Sequence, residues 1–239
     1  MLKTGASIHI VGSGETRNGK TLLARLIADF VLLSGGEPAV YDADAPHGRL
    51  ADWYPGRAEI VDLKTTAGQI AVFDRILDAP AIDHVVDLPA RDLLGFFAVV
   101  EETGFVAEAM GQGMRVNLMF VLDRPDVTLE ALRTIRASLE GLRLIPVFNE
   151  AVRLNSRIEG GDGAMAGLAE FRLPRLDREM LSIVEQRSFS FSRFLEHGEP
   201  ELRSLQRTVL RGFLRTVFGQ FYDLGLVAGA GALKRAHLA

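Results

Sequence analysis

The chain has 239 residues, 48% hydrophobic and 24% charged, the balance of a folded globular protein and not of a disordered one. It contains no cysteine, which excludes disulfide staples, thiolate metal sites and a cysteine nucleophile together. A formal net charge of −4 gives no bulk attraction to nucleic acid, and 24 glycines without a Gly-x-y period exclude a collagen-like chain.

The opening stretch MLKTGASIHIVGSG has too short an apolar run for a signal peptide, and apolar runs elsewhere break far below the roughly 20 residues a bilayer requires. A cytoplasmic location is the resulting expectation. In chain order, Ser7–Ser13 reads as a buried strand and Lys20–Leu33 as a helix. In that helix Leu22, Leu23, Leu26, Ile27, Phe30 and Val31 recur at helical spacing until Gly35-Gly36 stops it. Strands are predicted at 38–44 and 58–63, a helix at 68–77, a strand at 83–89 and a helix over 91–110. The clearest buried strand covers 114–123; a helix at 127–139 and a strand at 142–150 follow. A glycine-rich stretch at 158–167 reads as a mobile loop. Beyond it lie a short strand at 170–173 and helices at 175–186 and 199–224.

Strands alternating with helices imply βαβ crossovers and a mostly parallel sheet covered on both faces, a three-layer α/β/α architecture. One domain is expected over 1–224 with its last helix packed on it, and a flexible tail over 225–239.

The strongest local signal is GETRNGKT, Gly14 to Thr21, which satisfies G-x-x-x-x-G-K-[ST] between a predicted strand and a predicted helix. Gly14 and Gly19 let the backbone wrap so that N–H groups point inward at phosphate oxygens. Lys20 reaches the β- and γ-phosphates, the Thr21 hydroxyl can ligate Mg2+, and the helix start favours the same anion. The cofactor-binding set is therefore Gly14, Glu15, Thr16, Arg17, Asn18, Gly19, Lys20, Thr21 and Leu22.

Such a loop needs carboxylates to hold a hydrated dication and to orient water. YDADAP ends a strand with Asp42 and Asp44, and VVDLPA ends another with Asp87. A single strand-end Asp is ordinarily a turn former or cap, but two sets at the edge where the phosphate loop opens converge on a site. Asn149, ending LIPVFNE, is either a turn-forming residue or an amide able to read a purine edge.

Together these motifs resemble the ParA/MinD branch of the P-loop NTPases over about residues 7–186. The pieces in order are GETRNGKT, YDADAP, VVDLPA, VFNE and the proline-led segment LPRLDREMLSIVEQ, which is similar to the loop and helix that close over the base. The resemblance implies ATP or ADP with Mg2+, and slow hydrolysis. Lys20 would bind phosphate, Asp44 would position the attacking water with Asp42 beside it, Thr21 and Asp87 would hold the metal, and Asn149 would contact adenine. It also implies a nucleotide-dependent homodimer and a protein cargo or regulator, in a switch serving positioning, partitioning or assembly. The family's loop carries a lysine where this chain has Glu15, and glycines where it has Thr16 and Arg17. A carboxylate there would repel a partner's phosphates, whereas Arg17 is a cation that could stand in. Two other readings follow: an ATP-dependent ligase resembling dethiobiotin and cobyrinate amide synthases, and a nucleotide-binding regulator that does not hydrolyse. His47, after Asp44, is either a phosphate or partner contact or a solvated loop residue.

In the last helix Leu202, Leu205, Val209, Leu210, Phe213, Leu214, Val217, Phe218 and Phe221 form an apolar stripe wide enough for core burial. Arg203, Arg207, Arg211 and Arg215 form a second stripe, a solvated edge and the one place where nucleic acid or membrane contact is expected.

Overall fold

The computed structural model describes residues 5–46, 48–89, 93–123, 125–152 and 165–227, the side chains of 125–128 excepted. His47 and the glycine-rich residues 158–164 lie outside the described residues. Seven strands, β1 (Ser7–Ser13), β2 (Ala39–Asp42), β3 (Ala58–Ile60), β4 (His84–Asp87), β5 (Arg115–Val121), β6 (Arg143–Asn149) and β7 (Phe171–Leu173), form one sheet in the order β3-β2-β4-β1-β5-β6-β7. Every neighbouring pair is parallel. All seven residues of β1 are buried, as a central strand covered on both faces requires.

Parallel neighbours demand crossovers, and the helices divide between the faces accordingly. On one face lie α1 (Lys20–Leu33), α6 (Arg178–Val184), α7 (Phe191–His197) and α8 (Ser204–Asp223), packed around Phe30, Phe171, Phe218 and Phe221. The Phe171 and Phe221 rings stack with centroids 4.9 Å apart. The other face is covered by α2 (Thr66–Leu77), α3 (Leu93–Glu102), α4 (Phe105–Gly111) and α5 (Pro125–Ser138), with Phe73 stacked on Phe105 at 4.4 Å. The expected three-layer α/β/α architecture is therefore present. Among the described residues no helix is long and apolar enough to cross a membrane.

Several boundaries differ from expectation, each for a local reason. The helix expected over 91–110 is two helices, broken where Gly104 takes a left-handed φ of 65° and starts α4. The strand expected over 38–44 stops at Asp42, because its carboxylate accepts hydrogen bonds from Asp44 N at 3.1 Å and Leu50 N at 2.6 Å and turns the chain. The helix expected from 175 begins after Asp177, whose side chain caps Met180 N at 2.8 Å. Helix α7 was not expected at all; Ser190 caps it through Arg193 N.

The first three residues of the tail expected over 225–239 are part of the fold. Leu226 and Val227 are buried in the core, while 228–239 lie outside the described residues. The anchor is a pair of arginines at the opposite end of the sheet from the phosphate loop. Arg115 donates to Gly225 O at 2.7 Å and Leu226 O at 3.2 Å, and Arg143 to Leu224 O at 2.6 Å. Both satisfy carbonyls left open where α8 ends. Beneath them His9 is fully buried with neither ring nitrogen hydrogen-bonded to a described residue. Asp83 stands 4.0 Å away, but burial first, and then Arg115, His84 and Arg143, push the His9 pKa down from 6.5 to about 3 and keep the ring neutral.

This makes stability fall on acidification. Below pH 6.5 the unfolded chain takes up a proton at His9 that the folded chain refuses until about pH 3. His9→Leu removes that difference while leaving the carboxylates common to both proteins. Unfolding free energies from urea titration between pH 7 and pH 4.5 should favour the variant progressively, by about 1.4 kcal/mol for each pH unit below the unfolded pKa. Parallel decline of the two proteins would exclude this account.

Candidate functional site

Strand order places β1 between β4 and β5, so the chain leaves β1 toward one edge of the sheet and later returns to the other side of it. That reversal opens a crevice at the carboxyl ends of the strands, the place where ligands bind in open α/β sheets. The residues predicted for the site converge there: the loop 14–21 after β1, Asp42 at the end of β2, Asp87 at the end of β4 and Asn149 at the end of β6.

Within the loop, Lys20 is buried and its ammonium lies 2.8 Å from Ser13 Oγ, 2.8 Å from the Glu15 carbonyl and 3.4 Å from Asn18 Oδ1. Burial lowers its pKa; Asp87, Asp123, Asp44 and Glu15 oppose that shift by attraction. The loop is tied down from outside. Asp123, just past β5, accepts from Glu15 N at 2.8 Å and from Asn18 Nδ2 at 2.9 Å. The Asn149 amide donates to Asn18 O at 2.7 Å, and its Oδ1 accepts from Ala151 N at 2.9 Å. Gly19 sits under that amide with φ 95°, where a Cβ would fall 2.6 Å from Asn149 Nδ2. Leu22 is half-buried on α1, whereas Thr16 and Arg17 are exposed at the loop tip. Arg17 carries φ 58°, a left-handed conformation that costs an L-residue about 1–2 kcal/mol.

Thr21 begins the acidic wall by donating its hydroxyl hydrogen to Asp87 Oδ2 at 2.7 Å. Asp87 Oδ1 is buried without a hydrogen-bond partner among the described residues. Burial above all, and then Asp42 and Asp44, push the Asp87 pKa up to about 7 against the pull of Thr21 and Lys20. Both Asp42 oxygens are held by backbone amides, so Asp42 shapes the loop that presents the exposed Asp44.

A hydroxyl beside a carboxylate oxygen lacking a partner is the hard-oxygen donor set that suits Mg2+, which takes one or two protein oxygens and fills its shell from phosphate and water. No group of three or more His, Asp or Glu side chains able to cage a metal occurs among the described residues. Asp123 is the site residue that strand-by-strand reading missed. Its signal was present, an acid closing the apolar run MFVLD in the manner of Asp42 and Asp87.

No protein-family profile and no curated protein matches the sequence. Solved structures do. A chain of the MinC:MinD cell division protein complex of Aquifex aeolicus superposes with a TM-score of 0.53 at 12% identity, covering 92% of this chain and 96% of that one. The signal recognition particle receptor FtsY from Elizabethkingia anophelis, in complex with GDP, gives a TM-score of 0.47 at 13% identity over 91% of this chain and 64% of that one. The sheet order, the loop after β1 and the MinD likeness together identify the three-layer fold of the P-loop NTPases.

The Asn149 latch is open to a direct test. Asn149→Ala strips the Asn18 carbonyl of its partner and should lower unfolding free energy by about 1–3 kcal/mol in urea titration. A loss within experimental error would mean that the latch is not holding the loop.

Proposed function

We propose that this chain is a cytoplasmic Mg-ATP-binding ATPase of ParA/MinD type, a nucleotide-dependent switch in positioning, partitioning or assembly. The carrying observation is the juxtaposition of the buried Lys20 ammonium and the Thr21 hydroxyl, at the end of the loop after β1, with the Asp87 carboxylate at the end of β4. On this reading Lys20 exchanges loop oxygens for phosphate oxygens, and the start of α1 supplies further N–H donors. Thr21 and Asp87 would hold Mg2+, whose chemistry there is to neutralise phosphate charge. Exposed Asp44 orients the attacking water, with Asp42 fixing its loop. Asn149 retains one amide hydrogen and one lone pair for an adenine edge, after its bonds to Asn18 and Ala151.

Asp87 links this site to a response. It terminates β4, touches the loop through Thr21 and leads into the segment before α3, so a change at the phosphate end reaches a second element by a single hydrogen bond. A protein cargo or regulator would read that change, as would a second copy in a nucleotide-dependent homodimer.

Calorimetric titration with MgATP should show saturable binding to wild type and at least about a tenfold loss in Lys20→Ala, the scale of one charge-assisted contact. Equal affinities would refute the site. Phosphate release should be slow in wild type and slower in Asp44→Ala. Indistinguishable rates would favour the non-hydrolysing regulator.

A further inference from the structure

The loop between β1 and α1 contains a strained residue where glycine would be free of strain. Among the described residues, every positive φ belongs to glycine except that of Arg17, at 58°. Arg17 and Gly19 both take left-handed backbone on either side of Asn18, the kind of turn in which backbone N–H groups can line an anion-binding concavity. Glycine at 17 would build the same concavity, so backbone shape explains the φ but not the arginine. The side chain is exposed, and its guanidinium makes no hydrogen bond or ion pair with the described residues.

The surrounding charge gives that guanidinium a task. The buried Lys20 ammonium has its protons directed at oxygens of Ser13, Glu15 and Asn18, while Asp87, Asp123, Asp44 and Glu15 all act on it electrostatically. A phosphate chain entering this neighbourhood adds negative charge beside the Asp87 and Asp44 carboxylates, and each further phosphate adds more. An exposed arginine at the loop tip can offset that charge with a planar pair of N–H donors matched to phosphate oxygens.

We propose that Arg17 is the loop's own phosphate clamp, closing its guanidinium on the terminal phosphate of a bound nucleoside triphosphate and so favouring triphosphate over diphosphate. The clamp comes from the same chain as Lys20, so it needs no second copy. This inference rests on the phosphate-site reading above, which Asp87 Oδ1 supports independently as a buried oxygen without a described partner beside Thr21.

The test uses the full chain, urea denaturation without ligand, and calorimetric titration with MgATP and with MgADP. Arg17→Gly relieves the strained φ and should hold or raise the urea midpoint, so lost binding cannot be blamed on unfolding. The same variant should weaken MgATP by about tenfold or more and MgADP by about threefold or less. Arg17→Lys, which keeps the charge without the planar fork, should recover part of the MgATP loss. Unchanged MgATP affinity in Arg17→Gly overturns the clamp, and equal losses for the two nucleotides overturn its assignment to the terminal phosphate. If Lys20→Ala loses binding while Arg17→Gly keeps it, the clamp alone fails. If wild type binds neither nucleotide, or Lys20→Ala binds like wild type, the phosphate-site reading fails and the clamp with it.

Discussion

Arg25 and Asp29, one turn apart on α1 and both almost wholly buried, set the position of everything around the phosphate loop. Arg25 donates to Val184 O at 2.7 Å and Phe189 O at 3.1 Å, with its guanidinium 4.0 Å from the centre of the Trp53 ring. Asp29 accepts from Ser192 N at 3.0 Å, Ser192 Oγ at 2.6 Å and Ser190 Oγ at 3.1 Å, and the Tyr54 hydroxyl lies 2.8 Å from it. Charges so deeply buried are tolerated only where hydrogen bonds replace most of the lost water. Here those bonds join the segment carrying Trp53 and Tyr54, which follows Asp44, to the segment 184–192, which follows β7. Both segments are therefore registered to the helix that begins at Lys20. The link from sequence to site runs through this one helix.

The two ends of β1 show how one strand serves opposite polar demands. At its carboxyl end Ser13 and the loop beyond it keep a buried ammonium in a network of oxygens. At its amino end His9 is kept neutral under two arginines that cap the chain after α8. Parallel strands align these ends across the sheet, so polar groups from several strands collect at the two edges while Ile10 and Val11 fill the middle. The carboxyl edge is acidic and faces a crevice. The amino edge is basic and is covered by the end of α8, which ties the last described residues into the domain.

Much of this was legible in advance because it is written in local pattern. The buried run of β1, the helical spacing of α1 and the phosphate-loop motif coincide with observed boundaries, since each depends on neighbours within a turn or a strand. Asp87 and Asn149 stood out as polar ends of apolar strands, but their partners did not. Asn149 reaches Asn18 across 131 residues of chain, and Asp123 reaches Glu15 across 108. Nothing local distinguishes a strand-end amide that latches a loop from one that reads a base. The break at Gly104 and the short helix α7 were obscured for a related reason. Apolar periodicity runs straight through the first, and the second is held in place largely by Asp29, far away in sequence.

The state of Lys20 bears on what the loop could gain by binding an anion. A lysine exposed in the empty protein must lose water before it meets a phosphate, and that loss opposes binding. Lys20 has lost its water already, in folding, and its protons are directed at Ser13, Glu15 and Asn18 oxygens. On the proposed function, binding becomes an exchange of neutral oxygens for anionic ones within a fixed frame, the condition under which preorganised charge is most effective. The frame is rigid because Asp123 and Asn149 hold Asn18 from two sides. Its tip, at Thr16 and Arg17, is exposed. On the proposed function, a rigid inner cation and an exposed outer one would separate two tasks: the inner charge would hold phosphate, and the outer charge would count how many phosphates have arrived.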